Sequence, residues 1–129
     1  MKLAFLYAGQ GSQKVGMGID IYEKFPEYRK LVNQFSPEYY ELMKEGPLER
    51  LSQTANTQPC MAIFAAGVTD VLKKYGIHPA YAAGLSLGEY GALYAAGVWD
   101  VKTYIALTEF RGKQMEASAK GIPFKMTAI

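Results

Sequence analysis

The chain has 129 residues, of which half are hydrophobic and a fifth are charged, and its formal net charge at pH 7 is +2. This composition excludes a disordered tail, and the lack of a basic stripe argues against a nucleic-acid surface. Its uninterrupted apolar runs are too short to cross a membrane, and the first, residues 3–8, is too short for a secretory signal. The single cysteine, Cys60, allows no internal disulfide, which is consistent with a cytoplasmic protein. The charge distribution and the short apolar runs lead us to expect neither a nucleic-acid nor a membrane partner.

The first part of the chain predicts a strand, a glycine-rich loop and several short helices. Residues 3–8 are apolar throughout, which is typical of a strand buried on both faces. The strand ends at the turn-rich sequence Gly9 to Gln13. Proline, glycine and capping positions then predict short helical segments; these cover residues 19–24, 26–34, 38–44 and 48–52.

The clearest predicted helix lies in the middle of the chain. Either Asn56 or Thr57 can cap its start, Pro59 falls in its first turn, and Gly76 ends it. Apolar side chains at helical spacing form one face of this helix. They are Met61, Phe64, Ala65, Val68 and Leu72.

The remaining segments predict two further strands and two further helices. A second buried strand covers residues 80–85, and a helix follows over residues 89–96. Asp100 caps a last helix that runs from residue 101 to about residue 119, before a third strand over residues 124–129. Because a parallel α/β sheet needs several strands with helices on both faces, this pattern indicates the front part of a larger α/β protein.

The sequence GLSLG, from Gly84 to Gly88, matches the G-x-S-x-G pattern of a nucleophile elbow. A predicted strand enters the pattern and a predicted helix leaves it, which is the context that an elbow requires. The glycines allow a sharp turn that exposes the Ser86 hydroxyl, and the helix N-terminus directs free N–H groups at negative charge forming beside it. Ser86 is therefore the candidate nucleophile. The alternative is a glycine-rich turn with an incidental serine.

Arg111, one of three arginines, lies in the middle of the last predicted helix. It shares a helix face with Tyr104, Thr108 and Met115, so its neighbours are apolar or neutral. A guanidinium turned toward such surroundings needs an acidic partner. Residue spacing leaves two partners open: an internal glutamate, or a substrate carboxylate held by two hydrogen bonds.

Two further polar residues bear on a serine mechanism. Gln10 follows the first strand, where open α/β sheets place their sites, and its glycine neighbours leave its backbone N–H accessible as an oxyanion donor. The alternative is an ordinary turn residue. His78, the only histidine, lies at the entry of the second strand, so we exclude it as the base for Ser86. No metal-ligand cluster and no phosphate-binding loop occur in the sequence, and we expect no cofactor.

Four ordered motifs give the chain a family resemblance: GQGSQ at residues 9–13, NTQP at 56–59, GLSLGEY at 84–90 and RGK at 111–113. From residue 3 to its end, the chain resembles malonyl-CoA:acyl carrier protein transacylases. The resemblance implies an α/β-hydrolase-like large subdomain, with residues 1–122 as its N-terminal part. Residues 123–129 would begin an inserted ferredoxin-like small subdomain.

The resemblance also implies an activity and a role for each candidate residue. The enzymes of this family move a malonyl group from coenzyme A to the phosphopantetheine thiol of acyl carrier protein for fatty-acid synthesis, so malonyl-CoA and acyl carrier protein are the expected partners. Ser86 would carry the acyl group, and the backbone N–H groups of Gln10 and Leu87 would form the oxyanion hole. Arg111 would hold the malonyl carboxylate, and Gln58 would line the pocket.

Two departures from the family pattern qualify this expectation. Leu85 stands where the family usually has a histidine before the nucleophile. Because that neighbour is not the catalytic base, we expect an altered pocket polarity rather than lost activity. The catalytic histidine of the family lies well beyond residue 129, so residues 1–129 alone are expected to be inactive.

Alternative functions follow from the same residues. One is an acyltransferase of the polyketide-synthase type, and another is a non-catalytic remnant that binds acyl-CoA or a partner chain. A generic serine esterase is disfavoured, because it does not need an arginine that holds a carboxylate.

Overall fold

The computed structural model describes residues 1–123 and 125, and these residues form a mixed α/β structure. The two strands are β1 (Ala4–Tyr7) and β2 (Tyr81–Gly84). The helices are α1 (Ile19–Lys24), α2 (Pro26–Val32), α3 (Pro37–Glu45), α4 (Leu48–Leu51), α5 (Thr54–Lys74), α6 (Leu87–Ala95) and α7 (Val101–Ala119). The α/β class predicted from the sequence is thereby confirmed. The strand predicted over residues 124–129 lies outside the described residues, Lys125 excepted.

The strands pair in parallel, with Ala4 opposite Tyr81 and Tyr7 opposite Gly84. Both are shorter than predicted. The expectations that β1 is buried on both faces and that β2 is a buried strand are wrong for this structure. Leu6 is 80% exposed and Tyr81 is 62% exposed, because no described element covers the face of the sheet that they share. The opposite face is turned toward α5, and there the Tyr7 hydroxyl lies 2.7 Å from Thr69 Oγ1 of that helix.

The hydrophobic core lies within the helical layer, around the long helices α5 and α7. Its most buried large side chains include Tyr28 of α2, Met43 of α3, Ile63 of α5 and Ile105 of α7. The face predicted from the spacing of Met61 to Leu72 is only partly buried, and it lines a cavity of about 400 Å³ between α5 and β1. The buried side chains of α5, such as Ile63 and Val71, lie outside the predicted face, so apolar residues cover more than one face of this helix.

The start of α5 corrects a capping prediction. Neither Asn56 nor Thr57 caps the helix, which begins at Thr54 with Gln53 at the N-cap position. Instead, Thr57 Oγ1 donates to the carbonyl of Leu51 at 2.5 Å, and Asn56 Nδ2 donates to the carbonyl of Arg50 at 3.0 Å. These side chains bind back to the preceding turn, so the helix starts earlier and Pro59 lies inside it.

The start of α7 agrees with the sequence. Asp100 is its N-cap residue, and Asp100 Oδ1 accepts a 2.7 Å hydrogen bond from the backbone N–H of Thr103. None of the helices over residues 1–123 combines the length and the apolarity needed to cross a membrane.

Candidate active site

Ser86 lies in the tight turn between β2 and α6, at the N-cap position of α6. Its φ of 53° and ψ of −110° are unusual for a residue with a side chain, and strain of this kind concentrates at functional sites. The flanking glycines are required by close packing. A Cβ at Gly84 would overlap the backbone of Gly88, and a Cβ at Gly88 would overlap the carbonyl oxygen of Tyr7. The structure thus has the strand, turn and helix that the G-x-S-x-G pattern predicts around Ser86.

Arg111 reaches Ser86 from the neighbouring helix α7. Its Nη2 donates to Ser86 Oγ at 3.0 Å, and its Nη1 donates to Gln58 Oε1 of α5 at 2.9 Å. The guanidinium also lies over the ring of Tyr90, 5.5 Å from the ring centroid. Three of the predicted site residues, Ser86, Arg111 and Gln58, therefore meet in space.

The partners that the structure shows for Arg111 are Ser86, Gln58 and Tyr90, and each of them is uncharged. Over residues 1–123 and 125, no carboxylate lies within ion-pair distance of its guanidinium, so the internal glutamate considered from the sequence is not found there. Gln58, which holds one side of the guanidinium, is fully buried. A cation held only by neutral groups beside an exposed hydroxyl is suited to bind an anionic group.

Gln10 lies in the loop that follows β1, next to the elbow. A Cβ at the preceding Gly9 would lie 2.9 Å from the carbonyl oxygen of Leu85, so the loop passes directly against the residue before Ser86. The backbone N–H groups of Gln10 and Leu87 have no acceptor in the part of the chain that the structure describes. Leu87 begins α6, where N–H groups have no partner within the helix. Both N–H groups are thus free to donate hydrogen bonds to an anion.

Two other candidates for chemistry are remote or buried. His78 precedes β2 whereas Ser86 follows it, and the four strand residues between them span about 13 Å. Cys60 is fully buried, and burial raises the pKa of its thiol to about 12, so the thiol stays protonated near neutral pH. Among the described residues, no group of His, Cys, Asp and Glu side chains is placed to hold a metal ion.

Several neighbours of the site were missed from the sequence. Tyr90 stacks on Arg111, and its position four residues after Ser86 at the start of a helix is the signal that could have placed it there. Gln10 Nε2 donates to Thr54 Oγ1 at 3.0 Å, and Gln58 Nε2 donates to Met115 Sδ at 3.2 Å. These two contacts join residues 44 and 57 positions apart, so no local sequence signal could reveal them.

Comparison with known proteins agrees with this geometry. The family model of the acyl transferase domain matches residues 4–127. A malonyl CoA-acyl carrier protein transacylase from Synechocystis sp. is 39% identical over 128 residues, covering 95% of this chain and 42% of the relative.

Solved structures give the same result. An acyl carrier protein S-malonyltransferase from Vibrio cholerae superposes with a TM-score of 0.86 at 38% identity, covering 95% of this chain and 41% of that one. A malonyl-transacylase in complex with a type II polyketide synthase acyl carrier protein superposes with a TM-score of 0.85 at 36% identity, over 92% of this chain and 40% of the other. The chain thus spans about two-fifths of the length of these relatives. The family model matches nearly the whole chain, and the similar sequences and structures agree with it. The chain therefore belongs to the acyl transferase domain family.

Proposed function

We propose that the protein is a malonyl-CoA:acyl carrier protein S-malonyltransferase of fatty-acid synthesis, with Ser86 as its nucleophile. The observation that carries the proposal is the contact between Arg111 and Ser86. An arginine that has no acidic partner among the described residues lies 3.0 Å from an exposed serine hydroxyl in an elbow turn. A nucleophile beside such a cation suits an acyl group that ends in a carboxylate. The names of the Synechocystis and Vibrio relatives support the same activity.

The reaction would proceed in two half-reactions through a malonyl-serine. Ser86 Oγ attacks the thioester carbonyl of malonyl-CoA and gives its proton to a base, and the carbonyl oxygen takes up negative charge. The N–H groups of Gln10 and Leu87 bind this oxyanion. The carbon–sulfur bond then breaks, and the coenzyme A thiolate leaves and takes a proton. In the second half-reaction the phosphopantetheine thiol of acyl carrier protein attacks the ester, and Ser86 Oγ leaves and regains its proton.

Arg111 would orient the acyl group by binding its carboxylate. Two nitrogens of its guanidinium donate to Ser86 Oγ and Gln58 Oε1. When a carboxylate replaces the contact to Ser86, Gln58 and Tyr90 still hold the guanidinium in place. Two hydrogen bonds from one guanidinium fix the plane and the direction of a carboxylate. The ester carbonyl is thereby aimed at the oxyanion donors.

The base for Ser86 is the remaining part of the mechanism. His78 cannot reach Ser86, since the two residues lie beyond opposite ends of β2. We assign the base to a histidine C-terminal to residue 129, as the family resemblance implies. On the same basis, residues 1–122 form the N-terminal part of an α/β-hydrolase-like large subdomain and residues 123–129 begin a ferredoxin-like small one. The proposed location is the cytoplasm.

A second candidate differs in pathway rather than in chemistry. The malonyl-transacylase that superposes with a TM-score of 0.85 is bound to an acyl carrier protein of a type II polyketide synthase. A polyketide acyltransferase would use Ser86 and Arg111 in the same way, so the two candidates differ only in the acyl carrier protein that they accept. Transfer rates to carrier proteins of the two pathways distinguish them.

The test of the proposal is a mass measurement on the protein made from its complete reading frame. After brief exposure to malonyl-CoA, we expect the protein to gain one malonyl group, and Ser86→Ala to gain none. Ser36→Ala is the matched control, because Ser36 is exposed and its hydroxyl makes no capping bond to α3. A Ser86→Ala protein that still gains a stable malonyl group contradicts the assignment. A wild-type protein that gains none supports the non-catalytic remnant.

A further inference from the structure

We propose that Gln13 is a positioning residue that fixes the backbone of the oxyanion loop, defined here as residues 9–13. The Gln13 side chain uses both ends of its amide. Its Oε1 accepts a 2.8 Å hydrogen bond from the backbone N–H of Gly11, and its Nε2 donates to Ser52 Oγ at 3.2 Å. Gly11 directly follows Gln10, so the bridge restrains the peptide next to the proposed oxyanion donor. This inference rests on the proposed function.

The loop needs such a restraint because its own backbone does not supply one. Gly11 has a φ of +115°, a conformation that glycine adopts readily and that leaves the chain flexible. After Gln13, the next backbone hydrogen bond from this segment to another element is at Gly16, whose N–H donates to the carbonyl of Met43 at 2.7 Å. Residues 11–16 are exposed, except for Gln13, which is half-buried. The side chain of Gln13 is thus placed to act as the inner anchor of the loop.

A second side-chain hydrogen bond joins the oxyanion loop to the same part of the molecule. Gln10 Nε2 donates to Thr54 Oγ1 at 3.0 Å, while Gln13 reaches Ser52. Ser52 is the C-cap residue of α4 and Thr54 is the first residue of α5, so both bridges end on the same segment, which we call the α4–α5 junction (residues 52–55). Two amide side chains from one loop therefore set its position against one short segment of backbone.

The same junction also holds the helix that carries Arg111. A Cβ at Gly112 would lie 2.9 Å from the carbonyl oxygen of Thr54, so α7 packs directly on the junction. Glu116 Oε2 of α7 accepts a 2.8 Å hydrogen bond from the backbone N–H of Ala55. The oxyanion loop and the arginine helix are thereby positioned against one common segment. Gln13 keeps the distance between the oxyanion donor and the carboxylate-binding group constant.

The chemistry of the bridge decides which substitutions preserve it. The bridge needs an acceptor for the N–H of Gly11 and a partner for the hydroxyl of Ser52. Glutamate satisfies both, because its carboxylate accepts from Gly11 and the Ser52 hydroxyl can turn to donate to it. Methionine has a similar length but neither a donor nor a strong acceptor. Gln13→Glu is thus the conservative variant, and Gln13→Met is the disruptive one.

The experiment measures the rate at which malonyl-CoA acylates Ser86 in a single turnover, using the protein made from its complete reading frame. We expect Gln13→Met to lower this rate by roughly 10- to 100-fold, since small misplacements of oxyanion donors cost about this much. The malonyl-CoA concentration at half-maximal rate should stay unchanged, because Arg111 still binds the carboxylate. Gln13→Glu should stay within about threefold of wild type. The control is Gln34→Met, on an exposed glutamine in the turn that follows α2, which should have no effect.

Ser52→Ala tests the other end of the bridge and covers the case in which Gln13→Met does not fold. It should slow acylation in the same way, and the double variant with Gln13→Met should be no slower than Gln13→Met alone. The inference is overturned if wild type is acylated and Gln13→Met and Ser52→Ala match it. It is also overturned if Gln13→Glu loses as much as Gln13→Met. A wild-type protein that is not acylated at all refutes the proposed function, and the inference with it.

Discussion

Arg111 Nη2 donates a hydrogen bond to Ser86 Oγ at 3.0 Å, so a cation from α7 touches the hydroxyl at the start of α6. The pair brings together residues 25 positions apart in the sequence. From the proposed function, we expect this short distance to restrict the acyl groups that Ser86 can carry. A carboxylate one methylene away from an ester on Ser86 stays within reach of the guanidinium, whereas a longer acyl chain would carry its carboxylate past it.

Arg111→Ala should separate malonyl transfer from acetyl transfer. The malonyl carboxylate loses its partner, and truncation of one member of a buried charged pair typically costs about 2–5 kcal/mol. Acetyl has no carboxylate, so acetyl transfer should lose far less than malonyl transfer. The measurement is kcat/KM for both acyl-CoA substrates, in the protein made from its complete reading frame. Equal losses for both would show that Arg111 is structural.

The matched control for this prediction is Arg50→Ala. Arg50 makes an ion pair at 3.2 Å with Glu38, and both side chains are exposed. An exposed pair contributes about 0–1 kcal/mol, so its loss should leave both transfer reactions unchanged.

Gly88→Ala should abolish acylation of Ser86 and destabilise the fold. The added Cβ would overlap the carbonyl oxygen of Tyr7, so α6 has to move away from β1 and take the elbow with it. Gly76→Ala is the comparison, because a Cβ there meets nothing within 4 Å and only the positive φ of 79° is unfavourable. Denaturant unfolding and malonyl mass gain, measured on both variants, should show lost acylation for Gly88→Ala alone. Normal acylation of Gly88→Ala would contradict the packing argument.

Cys60 should resist alkylation by iodoacetamide at pH 8 in the native protein and react in denaturant. Burial raises the pKa of its thiol to about 12, so almost no thiolate forms and the sulfur is out of contact with solvent. Since the unfolded thiol ionises near pH 9, its contribution to stability is complete below that pH and is lost as the pH rises toward 12. Cys60→Ala should remove both the alkylation and this part of the pH dependence. Rapid alkylation of the native protein would contradict the burial of the Cys60 thiol.

Residues 1–129 expressed alone should self-associate and should not transfer malonyl groups. Leu6 is 80% exposed, Tyr81 62% and Leu85 77%, which gives the sheet and its end an apolar surface that favours association. Without a base, Ser86 lacks the roughly 10²- to 10⁴-fold that general-base assistance contributes. Sedimentation and a transfer assay test the two parts. An active monomer would contradict both arguments.

A pair of substitutions locates the surface responsible for this association. Leu6→Gln should reduce it, because the side chain is on the exposed face of β1. Leu48→Gln should not, because Leu48 is 54% exposed on α4 instead of on the sheet.

Local sequence signals predicted the parts of the fold that depend on local chemistry. The elbow glycines and the Asp100 cap occur where expected, because a tight turn and a helix start are set by a few adjacent residues. The predicted start of α5 was wrong, since the Asn56 and Thr57 side chains donate hydrogen bonds to carbonyls of the preceding turn instead of capping the helix. The partner of Arg111 could not be decided at all, because Gln58 lies 53 residues away and comes close only through helix packing.

The pairing of β1 with β2 has a consequence for the order in which the molecule folds. It joins Ala4 to Tyr81, and closing a loop of that length costs about 4 kcal/mol in chain entropy before the strands gain any contact. The helices between them form from local contacts, which arise faster. Because the carbonyl of Tyr7 packs directly on Gly88, the turn at Ser86 has its final shape only when β1 has docked. We therefore expect the reactive serine to be among the last parts of the molecule to assemble and the first to lose its geometry when β1 detaches.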